Sequence, residues 1–190
     1  MIKNQIQKSF EESITLIKKS SSLNYEIEKA TKLILKSLKS GHKIVIFGNG
    51  GSAADSQHIA AELIGRFKSE RKSFPAIALT TDTSIITALS NDYSFDKIFS
   101  RQCESLVKKG DIALGISTSG NSLNVKNGLI ASKKNGAITI GLLGNKGGII
   151  KKILDVGIIV NSSTTSKIQE VHRIIYHIIC EIVENELKNG

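Results

Sequence analysis

The sequence predicts a doubly wound α/β domain, a five-stranded parallel sheet flanked by helices and entered through a helical N-terminal extension. Three observations predict it. From Lys43 onward, short β-rich runs alternate with helical stretches. Those runs are almost continuously apolar, as strands covered on both faces are. Two of them end in glycine- and serine-rich turns that lead straight into helices. Such β-α alternation builds parallel sheets through right-handed crossovers.

Residues 1–40 read as two helices. Phe10, Ile14, Leu16 and Ile17, then Ile27, Ala30, Leu33, Ile34 and Leu38, approximate the recurrence of an apolar helical stripe. Between them, SSSLNYE carries Ser and Asn residues that favour turns and helix starts. The strands follow as KIVIF (43–47), AIALT (76–80), DIALGIS (111–117), AITIGLL (137–143) and VGIIV (156–160). Helices are expected at about 53–67, 84–91, 95–109, 122–135 and 166–188. No repeat or linker divides the chain, so residues 1–190 form one domain, with 1–40 as extension and 41–190 as α/β core.

Composition narrows the class. With 190 residues, 40% of them hydrophobic, a fold of this size buries about 70% of the surface its unfolded chain exposes and needs no disulfide staple. Cys103 and Cys180 lie far apart and outside any CxxC spacing, which fits buried thiols in a reducing, cytoplasmic setting. The polar N-terminus lacks the apolar core of a secretory signal, and no run reaches the roughly 18 apolar residues of a membrane span. The formal charge is +9, yet only four of the 26 cations are Arg and the lysines are scattered in pairs. Nucleic-acid surfaces concentrate charge on one element, so a solvated lysine-rich exterior is expected and no nucleic-acid or membrane partner.

The first strand ends in Phe47-Gly48-Asn49-Gly50-Gly51-Ser52 before a helix near Ala53. Glycine accepts a tight positive-φ turn, and a helix start presents unpaired N–H groups, so the segment suits an anion. Gly48-x-Gly50-x-x-Ala53 also meets a dinucleotide-binding pattern, but the acidic residue that should end the second strand is missing at the required spacing, Asp82 being 29 residues past Ala53. The third strand ends in Gly115-Ile116-Ser117-Thr118-Ser119-Gly120-Asn121-Ser122, with four hydroxyls before a helix. A single hydroxyl would cap that helix; four converging donors suit a phosphate monoester.

His58 and Glu62, four apart, project from one helical face; Gln169 and His177, eight apart, share a broad face of the last helix, with His172 and Arg173 nearby. If those helices meet, two imidazoles and a carboxylate could hold a divalent metal with an open position for substrate. Asn91-Asp92 is a turn signal that becomes a sugar contact only if the loops at the strand C-terminal ends converge.

GNGGSAADSQHIAAEL, SND, GISTSGNS and KIQEVHRIIYH, in this order, closely resemble the phosphoheptose (sedoheptulose 7-phosphate) isomerases of the sugar-isomerase-domain (SIS) superfamily, over nearly the whole chain. The resemblance implies a flavodoxin-like SIS fold and a homotetramer whose active sites lie between subunits, each with one zinc, converting a ketoheptose phosphate to an aldoheptose phosphate. It puts the metal ligands on His58, Glu62, Gln169 and His177. It puts the phosphate pocket on Ser117, Thr118, Ser119 and Ser122, and sugar contacts on Asn49, Gly50, Gly51, Ser52, Glu62, Asn91, Asp92 and Gln169. Moving a carbonyl from C2 to C1 needs a base, an acid and stabilisation of the enediolate between; Glu62 is the expected base and His177 the expected acid. Two rival readings share the fold. One is a non-catalytic binding protein of the superfamily, expected to lack the carboxylate at 62 or the imidazole at 177. The other is an isomerase of hexose or pentose phosphates.

Overall fold

The computed structural model describes residues 1–188; the last two residues of the assigned core, Asn189 and Gly190, lie outside them. Two helices, α1 (Ile2–Ser20) and α2 (Asn24–Lys39), precede β1 (Ile44–Gly48) and α3 (Gly51–Ile64). The chain continues through β2 (Ala76–Ala78), α4 (Thr83–Asp92), α5 (Ile98–Leu106), β3 (Ile112–Ser117), α6 (Leu123–Lys134), β4 (Ile138–Gly144), β5 (Val156–Val160) and α7 (Thr165–Leu187). The five strands are all parallel, in the order β2-β1-β3-β4-β5.

Alternation along the strands divides the core in two. Ile44 and Ile46 of β1, with Ile112, Leu114 and Ile116 of β3, join the layer formed by α2, α3 and α7. Val45 and Phe47 of β1 and Ala113 of β3 turn to the opposite layer, where Phe99 of α5 and Val125 and Leu129 of α6 cover them. Every residue of β1 and β3 is therefore buried, which is why these strands read as unbroken apolar runs. β5, at one edge, is buried only at alternate residues.

Several boundaries differ from expectation. α3 begins two residues before Ala53, because Gly50 adopts φ 56 and ψ −121 and turns the chain at once into the helix. The helix expected over 95–109 is a 3₁₀ turn, Phe95–Lys97, followed by α5, which stops where Val107 becomes extended. β2 is a three-residue edge strand rather than 76–80.

The two N-terminal helices also part company. In α2, Ile27, Ala30 and Ile34 are buried as the stripe predicts. No residue of α1 is buried: Phe10 is 67% and Ile14 51% exposed, and the helix is tied to α7 by Lys167 donating to Ser9 and Ser13.

The order 2-1-3 reverses direction at β1. α3, which follows β1, lies on one face, and α6, which follows β3, on the other. The loops leaving β1 and β3 thus flank one crevice beyond the strand C-termini, where ligands of open α/β sheets bind.

Candidate active site

The β1 loop is shaped by close approach. A Cβ on Gly48 would meet the Ile116 carbonyl and Ser52, and one on Gly51 would run into the Gln169 carboxamide, so Gln169 of α7 seats against the first residue of α3. Asn49 and Asn124 form a reciprocal amide pair, each Nδ2 donating to the other's Oδ1 at 2.8 and 2.9 Å. Asn124 is buried and its Oδ1 also accepts the Val125 N–H at 2.8 Å, so this pair clips the first loop to the start of α6. Asn49, expected as a sugar contact, has its amide committed to that clip. Ser52 is buried and holds the first turns of α3 through its carbonyl, which accepts the Ser56 hydroxyl at 2.8 Å.

In the β3 loop the hydroxyls converge. Ser117 Oγ lies 3.0 Å from Ser122 Oγ and 3.4 Å from Ser119 Oγ. The Gly120 and Asn121 N–H groups donate to Ser117 Oγ and Ser119 Oγ, both at 3.1 Å. Ser122 occupies the N-cap position of α6 without making a side-chain capping bond. Its hydroxyl is turned toward Ser117 instead, so helix capping does not account for the cluster. Thr118 is held through its carbonyl, which accepts Asn145 Nδ2 at 3.1 Å.

α3 and α7 meet as the metal reading requires. His58 Nε2 lies 2.8 Å from Glu62 Oε1, and the His58 and His177 rings are 5.1 Å apart. One donor atom from each of His58, Glu62 and His177 falls within 4.8 Å of the others, all three residues being partly buried. Burial, followed by the neighbouring His58, holds the His177 imidazole below its ordinary pKa, against the opposing pull of Glu62. A neutral imidazole is the form that ligates metals.

Asn91 and Asp92 end α4, exposed, and their side-chain hydrogen bond joins Asn91 Nδ2 to Asp92 Oδ1 at 2.9 Å. Within one chain they do not bond to the His58, Glu62 and His177 cluster or to the serine loop among the described residues. His172 proves structural: buried, it bonds the Leu143 carbonyl at 3.0 Å, and burial pushes its pKa down to about 4. It therefore stays neutral and donates from Nε2.

Several supporting residues escaped the sequence reading. Glu184 accepts the N–H groups of Phe67, Lys68 and Ser69, each at 2.8 Å. Burial alone would raise its carboxyl pKa, yet these N–H groups, with Arg71, hold it below the usual range. Arg71 in turn donates to the carbonyls of Glu62, Leu63, Gly65 and Lys72, closing the C-terminal end of α3 beside the base candidate. The same loop brings the Phe67 ring to 5.7 Å from His177.

Asp55, Arg173 and Tyr176 form a second group behind His58. The Tyr176 hydroxyl lies 3.2 Å from His58 Nδ1 and 3.3 Å from Asp55 Oδ1. Burial, then the Asp55 charge, push this phenol up to about 12, so it carries its proton. The available signal was spacing: Asp55 and Arg173 each stand three residues before His58 and Tyr176, one helical turn.

Comparison with known proteins identifies relatives of the whole chain. A family model described as SIS domain matches residues 9–144. The chain is 50% identical to the phosphoheptose isomerase of Sulfurimonas denitrificans over 186 residues, 98% of this chain and 95% of that one. It is also 50% identical to that of Aliarcobacter butzleri over 175 residues, 92% of this chain and 93% of the relative. The solved phosphoheptose isomerase of Neisseria gonorrhoeae superposes with a TM-score of 0.93 at 39% identity, covering 97% of this chain and 100% of that one.

Proposed function

Because this chain belongs to the phosphoheptose isomerases of the SIS-domain family, we propose that it interconverts sedoheptulose 7-phosphate and D-glycero-D-manno-heptose 7-phosphate. In this reading protons move between C1 and C2 at a site built on α3 and α7, as the first step toward nucleotide-activated heptose. The observation that carries the site is the convergence of His58, Glu62 and His177, with donor atoms within 4.8 Å of one another.

Two imidazoles and a carboxylate on rigid helices fit a divalent cation of the zinc class. His58, Glu62 and His177 would hold it, with Gln169 from the same face of α7 as fourth ligand. Bound there, one zinc per subunit would polarise the substrate carbonyl as a Lewis acid and hold the two reacting oxygens cis.

The protein's own groups carry the protons. Glu62 Oε1 is engaged with His58, so Oε2 is the oxygen that takes the proton from C1. His177, ligating through one ring nitrogen, would deliver the N–H proton of the other to C2, while the hydroxyl proton passes from O1 to O2. Glu62 has then gained one proton and His177 has lost one. Their donor atoms lie within 4.8 Å, a span that one bridging water covers, so the proton can be returned.

Ser117, Thr118, Ser119 and Ser122, with the N-terminus of α6, would bind the phosphate. Gly50, Gly51 and Ser52 line the approach to α3, Asn49 shapes it through Asn124, and Asn91 and Asp92 would contact sugar hydroxyls. Ser119 is exposed and free to turn to a ligand. Ser119→Ala should therefore raise the KM for the phosphorylated sugar severalfold with a smaller change in kcat, measured by the aldoheptose anomeric signal in proton NMR. An unchanged KM would put the phosphate elsewhere.

A homotetramer with shared sites accommodates what one chain leaves exposed. Ile2, Ile6, Phe10 and Ile14 form an uncovered stripe on α1, and Ile178 and Ile182 are open on α7. Such apolar surface calls for a partner, and a second copy would also bring exposed Asn91 and Asp92 toward a neighbour's site. Sedimentation should give about four times the chain mass of 20.5 kDa, and a monomer would contradict shared sites. The free, buried thiols of Cys103 and Cys180 suit the cytoplasm.

A further inference from the structure

His58 is backed by a group of polar side chains that the proton chemistry does not use. Asp55 is 1% and Tyr176 2% exposed, between α3 and α7. Arg173 Nη2 donates to Asp55 Oδ1 and Arg173 Nε to the Tyr176 oxygen, both at 3.1 Å. The same oxygen lies 3.3 Å from Asp55 Oδ1 and 3.2 Å from His58 Nδ1.

Donor and acceptor counting orders this group. The Asp55 carboxylate only accepts and the Arg173 guanidinium only donates, whereas the phenol has one hydrogen and two lone pairs. If His58 Nε2 is to bind a cation, that nitrogen must carry its lone pair, so a neutral ring holds its hydrogen on Nδ1. Nδ1–H then donates to the Tyr176 oxygen, Arg173 Nε donates to it from a second direction, and the phenol hydrogen has one acceptor left, Asp55. In that arrangement the phenol, Asp55 Oδ1 and Arg173 are all paired, and the His58 Nε2 lone pair faces Glu62 Oε1 at 2.8 Å, two acceptors that a cation would satisfy together. The opposite one, with Tyr176 donating to His58, forces the hydrogen onto Nε2 and blocks it.

We propose that Asp55, Tyr176 and Arg173 are positioning residues that hold His58 in its Nδ1–H tautomer and aim Nε2 between Glu62 and His177, raising the affinity of the site for a divalent cation. The inference rests on the metal reading above and assigns to it a support that no ligand set includes. A simple tie between α3 and α7 would also use these bonds, so the test must read the metal and the ring rather than stability alone.

Zinc affinity of the full-length protein can be measured by competition with a chromophoric chelator, for the wild type, Tyr176→Phe and Asp55→Asn. Tyr176→Phe keeps the buried ring and removes one oxygen. It should weaken zinc binding by about 10- to 100-fold, the usual effect of losing an outer partner of a metal-bound histidine. Long-range ¹⁵N–¹H spectra of the zinc-loaded wild type should show the His58 hydrogen on Nδ1, and that signature should fade in the variant. Asp55→Asn should weaken binding in the same direction; if it fails to fold, Tyr176→Phe decides. Variants that lose stability but bind zinc as tightly as the wild type overturn the inference and leave the metal reading standing. A wild type that takes up no zinc overturns both.

Discussion

Glu62→Gln is expected to lower turnover of sedoheptulose 7-phosphate by about 10²–10⁴-fold, the range associated with a positioned general base, while the unfolding transition stays in place. Glutamine has the same shape, and its carboxamide oxygen can take the place of Oε1, 2.8 Å from His58 Nε2. What it cannot do is take a proton from C1. The anchor from Arg71 reaches the Glu62 backbone carbonyl, not its side chain, so the end of α3 stays closed in the variant. The loss should fall on kcat more than on KM, because a base acts in the transition state and contributes little to ground-state binding. Proton NMR of the aldoheptose anomeric signal measures it directly. A near-normal rate would remove Glu62 as the base and turn attention to His177.

Stripping the protein with a chelator is expected to reduce turnover by about 10³-fold or more, with zinc restoring it, since Lewis-acid polarisation of a carbonyl contributes several kcal/mol to the barrier. Two imidazoles beside one carboxylate are the reason to expect this dependence. Tight sugar-phosphate binding should survive the treatment, because the serine loop joins β3 to α6 and carries none of the residues that would hold the ion. Full activity of the stripped protein would require a metal-free route. Sugar-phosphate binding without turnover, with or without zinc, would make the chain a binding protein of this fold.

Much of the fold was legible because both of its signals are local. Apolar runs bounded by turns locate the strands, and Gly50 and the serines mark where β1 and β3 pass into helices. The four-residue spacing of His58 and Glu62 predicts their shared face, and they are in hydrogen-bond contact. Burial of α1 was not legible. Its stripe has helical periodicity, but periodicity reports that a face is apolar and not which surface covers it, and no residue of α1 is buried in the chain. Asn49 has a bonding partner that was not legible, for a related reason. Its place in a glycine-rich loop suggests a ligand contact, whereas its partner, Asn124, lies 75 residues away and cannot be inferred from either segment alone.

By itself, then, the amino-acid sequence determined the α/β class, the two loops and the candidate chemistry of α3 and α7, because helical and strand periods and turn residues act within a few positions of one another. Only the tertiary structure decided which side chains answer to which. The pairing of Tyr176 with His58 across 118 residues, the Glu184 bonds to the 67–69 backbone and the opening of α1 to its surroundings all depend on how distant elements dock. Docking is set by burial of both sheet faces at once, a condition that no single window of residues contains.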